Sequence, residues 1–303
     1  MLLFYMSSFK QIAIIGSTAS GKTDLAIKYA QKNNSNILSL DSLSIYKEID
    51  IASAKPTIQE RAGVKHFGID ILYPNEPFNV AIFIDLYKKA REESIKSGKN
   101  LVIVGGSSFY LKSLIDGISS IPDISKESID KTQKLMLNLG DAYQFLYNID
   151  KEYMKNIKPS DRYRIEKALN LYFETLLAPS DYIRANPPKS IINEPLPIYE
   201  IEVNRDKLRE KIAKRTQKML DIGLIDEVAY LEKKYTQAPN CMKAIGIREV
   251  LDYFNGIYTQ RELKEKIIIN TARLAKRQRT FNKSQFRDKI VLPLERLEEA
   301  LFN

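Results

Sequence analysis

The first third of the chain alternates short apolar runs with stretches of helical spacing. Residues 11–15 (QIAII) are β-branched and continuous, which predicts a buried strand. Residues 24–31 (DLAIKYAQ) follow, with Leu25, Ala26, Tyr29 and Ala30 on one helical face. Residues 36–40 (NILSL) read as a second strand that ends at Asp41. Residues 79–97 are amphipathic, with Asn79 as the helix cap. Residues 101–104 (LVIV) read as a third buried strand closed by Gly105 and Gly106, and a helix is expected from Ser108 to Asp116. Strands that alternate with helices predict an α/β fold, a parallel sheet with right-handed crossovers.

The pattern then changes. Residues 117–190 show helical spacing and no convincing strand. Ile165, Leu169, Tyr172 and Phe173 share a helix face in residues 160–174, and Ser160 is the expected cap. A proline-rich break at 185–198 precedes residues 197–203 (PIYEIEV), which return to strand alternation; the rest reads as helical. Thr259 and Glu262 form a capping box that opens a long basic helix to about Gln285. The economical organisation is an α/β core, 1–116 and 191–303, interrupted by a helical insertion, 117–190.

Composition narrows the class. Hydrophobic residues make up 44% and charged residues 28%, so the chain can bury a full core and is not a disordered one. Cys241 is the only cysteine, which excludes an internal disulfide and a zinc-cysteine cluster and fits a reducing, cytoplasmic compartment. The start, MLLFYMSSFK, lacks a basic region ahead of its short apolar run, unlike a secretion signal, and Met6 is an alternative first residue. No stretch approaches the roughly 20 apolar residues of a membrane span. The net charge of +9 is concentrated in residues 205–218 and 273–289. Such runs are either solvated helix faces or a surface for an anionic partner. His66 is the only histidine, which excludes a histidine-rich metal site, and it reads as structural.

The strongest motif is GSTASGKT, residues 16–23. It fits the P-loop spacing G-x-x-x-x-G-K-[ST] and lies between a predicted strand and a predicted helix. Gly16 and Gly21 let the loop turn tightly, so that the backbone N–H groups of Ser17, Thr18, Ala19 and Ser20 can close around phosphate oxygens. The helix start adds fixed positive charge. Lys22 supplies an ammonium for the terminal phosphate, and the Thr23 hydroxyl is a ligand for Mg²⁺. This spacing establishes polyphosphate binding without selecting a polyphosphate. The strand 101–104 ends in glycines, where a P-loop nucleotidase usually carries a metal-holding acid. The available carboxylate is Asp41, which could hold Mg²⁺ through water, act as a general base, or cap its own loop.

Seven segments then occur in order: GSTASGKT, 41–57 (DSLSIYKEIDIASAKPT), 66–71 (HFGIDI), 104–114 (VGGSSFYLKSL), 161–169 (DRYRIEKAL), 243–250 (KAIGIREV) and 271–281 (TARLAKRQRTF). Together they resemble the tRNA dimethylallyltransferase (tRNA isopentenyltransferase) family, from residue 12 to about 287. The P-loop alone is generic; the 41–57 and 271–281 segments are specific.

The resemblance implies a P-loop-kinase-like core with a helical insertion that grips the tRNA anticodon stem-loop. It implies a dimethylallyl diphosphate donor held by the P-loop, Mg²⁺ to assist diphosphate departure, and as acceptor the N6 of the adenine 3′ of the anticodon. That base must leave its stack to react. By position, Asp41 resembles the family's general base and Arg215 its diphosphate-binding arginine. Ser107 replaces the usual threonine and keeps its hydroxyl. Ser42, Leu43 and Ser44 follow Asp41 along the segment that meets the target base. Arg162 and Arg164 in the insertion, Lys243, Gly246 and Arg248 in a contact loop, and Arg273, Lys276, Arg277, Gln278 and Arg279 on the basic helix resemble tRNA-contacting positions. A monomer is expected. The chain departs from the family at Ser17 (often proline), at Thr175-Leu176-Leu177 (usually threonine-glycine) and at Phe281 (usually tryptophan), and none of these touches the chemistry.

Three other readings compete. A small-molecule P-loop kinase explains the P-loop and Asp41 but not the insertion or the basic helix. A prenyltransferase acting on free adenine nucleotides needs no RNA-gripping insertion. A non-catalytic RNA-binding protein would use the P-loop only as a switch.

Overall fold

The protein is described by a computed structural model over residues 9–302, so the readings on Met1 and Met6 lie outside the described residues. It divides into two compact units: the chain up to Ser113 together with Ile192 onward, and Leu114–Ile191.

The first unit carries one parallel six-stranded sheet, β1 (Gln11–Gly16), β2 (Ser35–Ser39), β3 (His66–Phe67), β4 (Asn100–Gly105), β5 (Ile198–Glu202) and β6 (Ile290–Pro293), in the order β3-β2-β4-β1-β5-β6. β1 lies at the centre, with Ile12 opposite Val102 of β4 and Ile15 opposite Glu200 of β5. Ala13, Ile14 and Ile15 are fully buried, as expected of a strand covered on both faces. Ile12 and Ile14 pack with Leu25 and Ala26 of helix α1 (Lys22–Lys32), closing one side of the core. Helix α2 (Val80–Lys96) is capped by Asn79, as expected, and buries Phe83 and Tyr87. Chain order reverses beside β1, so the carboxyl ends of β1, β2 and β4 surround a crevice of the kind in which α/β sheets bind ligands.

Helix α3 (Ser108–Asp116) follows β4. After the second unit and β5 come α9 (Arg205–Asp221), α10 (Leu224–Tyr235), α11 (Ile247–Phe254), α12 (Gln260–Gln285) and α13 (Leu294–Phe302). Leu224, Val228, Ile247, Leu263 and Ile267 from these helices pack on Ile45 and Ile49, which anchors the segment after Asp41. The capping box opens α12 as expected: the Thr259 hydroxyl accepts from Glu262 N–H, and the Glu262 carboxylate accepts from Thr259 N–H at 2.8 Å.

The second unit is helical throughout: α4 (Lys126–Leu135), α5 (Leu139–Ile149), α6 (Lys151–Met154), α7 (Arg162–Thr175) and α8 (Pro179–Ala185). Met136, Leu146, Ile165 and Leu169 form its core. Asp150 accepts from Tyr153 N–H at 2.8 Å and from Ser180 N–H at 2.7 Å, so one buried carboxylate starts α6 and fixes α8. The cap of α7 is Asp161, whose carboxylate accepts from Arg164 N–H at 3.2 Å, and not Ser160 one residue earlier. Both residue types cap helices well, and the turn at 158–161 decides which one reaches the free N–H.

A second correction concerns the expectation that everything after β5 is helical. Residues 290–293 form β6, parallel to β5 at the sheet edge. Its Ile290 and Val291 remain 47% and 43% exposed, so this short edge strand carries no buried alternation to be read.

Candidate active site

The P-loop begins where β1 ends. Ala19 (φ 62°) and Gly21 (φ 93°) adopt left-handed backbone, which folds the loop back on itself. Gly21 caps α1 without a side-chain bond, so the first N–H groups of α1 keep no intrahelical acceptor. The Lys22 ammonium donates to the Ser17 carbonyl at 3.1 Å, lying back over the loop. The Ser20 hydroxyl is buried without a partner. Gly16 and Ser17 are buried, while Thr18, Gly21, Lys22 and Thr23 are partly open.

Asp41 follows β2. Its neighbour Leu40 donates to the Val104 carbonyl at 2.7 Å and accepts from Ser107 N–H at 3.2 Å, which places Asp41 beside the Gly105–Ser107 turn. Asp41 Oδ1 accepts from Leu43 N–H at 2.8 Å and from Ser44 N–H at 3.2 Å. Thus the loop-capping role holds for one carboxylate oxygen, while no described residue donates to Oδ2. Asp41 borders a cavity of about 60 Å³ together with Lys22, Thr23 and Arg215, and a cleft of about 580 Å³ that opens beyond it.

Arg215 projects from α9, and its guanidinium donates to the Ser53 carbonyl at 3.4 Å. Burial lowers its pKa, and Asp41 partly restores it. The Lys22 ammonium is pushed down to about 8 by burial first and the nearby positive Arg215 second, with Asp41 again opposing. Two cations and one carboxylate therefore face each other with an excess of positive charge, the balance an anionic ligand would correct.

The large cleft collects most of the remaining expected residues. Ser42, Leu43, Ser107, Lys243, Arg248, Arg273, Arg277 and Gln278 border it. Ser44 is buried behind Asp41 and faces the small cavity. Gly246 is the buried, left-handed cap of α11 (φ 97°) and shapes the loop from beneath. Lys276 and Arg279 are exposed on α12 but border neither space, and Arg162 and Arg164 are exposed on α7 of the second unit, Arg164 paired with Asp161 at 3.6 Å. Gln278 turns inward, and its side-chain oxygen accepts from Thr18 N–H at 2.9 Å.

Several supporting residues escape sequence reasoning. Glu227 of α10 accepts from Asp50, Ile51 and Ala52 N–H at 2.8, 2.7 and 2.9 Å, holding the segment that carries Ser53. Glu249, 1% exposed, accepts from Gly246 N–H at 2.7 Å, Arg248 at 2.6 Å and the Asn270 amide at 2.8 Å, joining the 243–248 loop to α12. Lys55, 5% exposed in its side chain, pairs with Asp50 at 2.6 Å and with Asp70. Most of their partners lie 15 to 177 positions away, beyond any local pattern; the capping box that Glu249 closes with Gly246 is local.

Oxygen donors for a cation are the Thr23 hydroxyl and the Asp41 carboxylate. Among the described residues no group of three or more His, Cys, Asp or Glu side chains could hold a metal by itself. This suits a hard cation that takes one or two protein oxygens and completes its shell with substrate phosphate and water.

A glycine-rich loop at the reversal point of a parallel sheet, faced by a carboxylate and a half-buried arginine, defines an α/β protein of P-loop-like fold. Comparison with known proteins sharpens this. The IPP transferase family model matches residues 44–285, more than half of the sequence, and the chain belongs to that family. It is 56% identical over 292 residues to the tRNA dimethylallyltransferase of Sulfurovum sp., covering 96% of this chain and 97% of that one. It is 55% identical over 293 residues to the protein of the same name from Sulfurimonas denitrificans, covering 97% and 98%. Among solved structures it resembles the tRNA delta(2)-isopentenylpyrophosphate transferase of Staphylococcus epidermidis, with TM-score 0.69 and 31% identity over 97% of this chain and 96% of that chain.

Proposed function

We propose that this protein transfers a dimethylallyl group from dimethylallyl diphosphate to the N6 of the adenine 3′ of the anticodon in tRNA and releases diphosphate. The observation that carries the reading is the convergence of Asp41, Lys22 and Arg215 on one cavity that opens into a cleft bordered by Arg248, Arg273 and Arg277. The diphosphate lies in the P-loop, against the backbone N–H groups other than that of Thr18, which Gln278 holds, and against the Lys22 and Arg215 cations. The adenine enters from the cleft side, its amine toward the free Oδ2 of Asp41. The C1–O bond to diphosphate breaks as the N6–C1 bond forms, the electron pair leaves on the diphosphate oxygen, and the N6 proton passes to Asp41. An aromatic amine is a weak nucleophile, so a base at hydrogen-bond distance and donors preplaced on the leaving group each lower the barrier. Thr23 would hold Mg²⁺, which adds positive charge at the leaving diphosphate.

Basic residues of α12 and of the 243–248 loop meet tRNA phosphates, and the helical insertion, with Arg162 and Arg164, grips the anticodon stem. No helix among the described residues is long and apolar enough to cross a membrane. We place the protein in the cytoplasm, with its tRNA substrate, as a monomer.

The test is label transfer from radioactive dimethylallyl diphosphate, with Mg²⁺, to tRNA lacking the modification, with AMP and ADP in parallel. Label in tRNA alone is expected. Label in AMP or ADP would reassign the acceptor, and no label with folded protein would overturn the reaction.

A further inference from the structure

On the exposed stretch 276–279 of α12, Lys276, Arg277 and Arg279 are open to solvent, whereas Gln278 is half-buried and reaches the P-loop. Its Oε1 accepts from Thr18 N–H at 2.9 Å, across 260 positions of sequence. Its amide nitrogen lies over Gly106: a Cβ on that glycine would come within 2.4 Å of Nε2, closer than atoms tolerate. The amide thus sits between the phosphate loop and the turn after β4, and a side chain at 106 would push it from this position. One turn later the Asn282 amide donates to Glu200 of β5 at 2.8 Å, and both side chains are buried. This half of α12 is therefore tied to the sheet and to the P-loop, while Arg273 and Arg277 of the same helix border the cleft.

We propose that Gln278 is a positioning residue that couples the two substrates: RNA held by α12 fixes the Gln278 amide, which fixes the P-loop, so that each substrate tightens the binding of the other. The inference rests on the proposed RNA and diphosphate substrates. The coupling must be reciprocal, since one free energy links both binding events. Restraint of the loop by the first ligand leaves less ordering to be done by the second.

The experiment measures the affinity of the full chain for inorganic diphosphate with Mg²⁺ by calorimetry, with and without an unmodified anticodon stem-loop RNA. The wild type should bind diphosphate at least about fivefold more tightly with RNA present. Gln278→Met, of similar length but with no amide to accept or donate, should bring that ratio close to one. Gly106→Ala, which crowds the amide from the opposite side, should lower it independently. A merely structural role for Gln278 would reduce thermal stability and leave the ratio unchanged. An unchanged ratio in Gln278→Met, or a wild-type ratio of one or less, overturns the proposal. Label transfer run on the same proteins separates the two ideas: absent transfer in the wild type sinks the prenyl-transfer reading, whereas transfer with a preserved ratio in the variant sinks this one.

Discussion

Replacing Asp41 by asparagine separates its two roles. The Oδ1 atom accepts from Leu43 and Ser44 N–H, and an asparagine carbonyl oxygen does the same, so the loop should keep its shape. What is lost is the oxygen that takes a proton. A positioned general base contributes about 10²- to 10⁴-fold, or about 2.7–5.4 kcal/mol of barrier. Single-turnover label transfer at saturating donor and tRNA should fall by that factor, with tRNA affinity and melting temperature little changed. Asp41→Ala removes the two loop bonds as well, each worth about 0.5–1.5 kcal/mol, and should add a fall in stability to the loss of rate. The asparagine variant also carries an internal check. Asp41 holds the Lys22 pKa up against burial and Arg215, so its neutralisation should move the Lys22 titration below about 8. A turnover within about threefold of wild type would refute the assignment of Asp41 as base, because general-base effects start near 10².

The remaining predictions concern charge and support. Burial and Arg215 push Lys22 down to about 8 in the free protein, and the negative charge of a bound diphosphate should raise that pKa. The lysine contribution to diphosphate affinity is therefore fully present below pH 8 and lost as pH rises above it; calorimetry across this range checks the sign, and Lys22→Met should flatten the dependence. For folding the sign is opposite: the depressed pKa makes the charged lysine a cost below pH 8 that is relieved as pH rises toward 10.5. Glu227→Ala frees three backbone N–H groups near the surface and should lower stability by about 2–4 kcal/mol; it should also weaken diphosphate binding through Ser53 and Arg215, and calorimetry showing unchanged diphosphate affinity would remove Glu227 from the support of the site. If Arg273, Lys276, Arg277 and Arg279 meet RNA phosphates, log affinity should fall with log salt at a slope of about −3 to −4, and neutralising one of them should reduce the slope by about one.

The strand–loop–helix setting of the P-loop was legible because its cause is local. The β-branched run 11–15, the glycines and the apolar spacing at Leu25, Ala26 and Ala30 each act through neighbours in sequence, and β1 and α1 follow them closely. Asn79 and the Thr259–Glu262 box were legible for the same reason: a cap bonds to a backbone group three residues away. Where two good caps adjoin, as at Ser160 and Asp161, residue type no longer decides and the turn geometry does. β3 and β6 were missed because two- and four-residue strands have no period of their own and exist by pairing with β2 and β5.

Local patterning along the chain was enough for the α/β class, the glycine-rich loop, the helical nature of 117–190 and the residue types available for chemistry. How those residues act together came from the fold. It buried Lys22 and Arg215 in one crevice and so lowered both pKa values, with the positive Arg215 adding to the effect on Lys22. It committed one oxygen of Asp41 to the backbone and left the other open. It also turned Gln278 away from its exposed neighbours onto the Thr18 N–H. The physical reason is common to all three: burial and electrostatic coupling depend on distance in space. The sheet brings carboxyl ends of strands far apart in sequence to one crevice, and no periodicity along the chain encodes that distance.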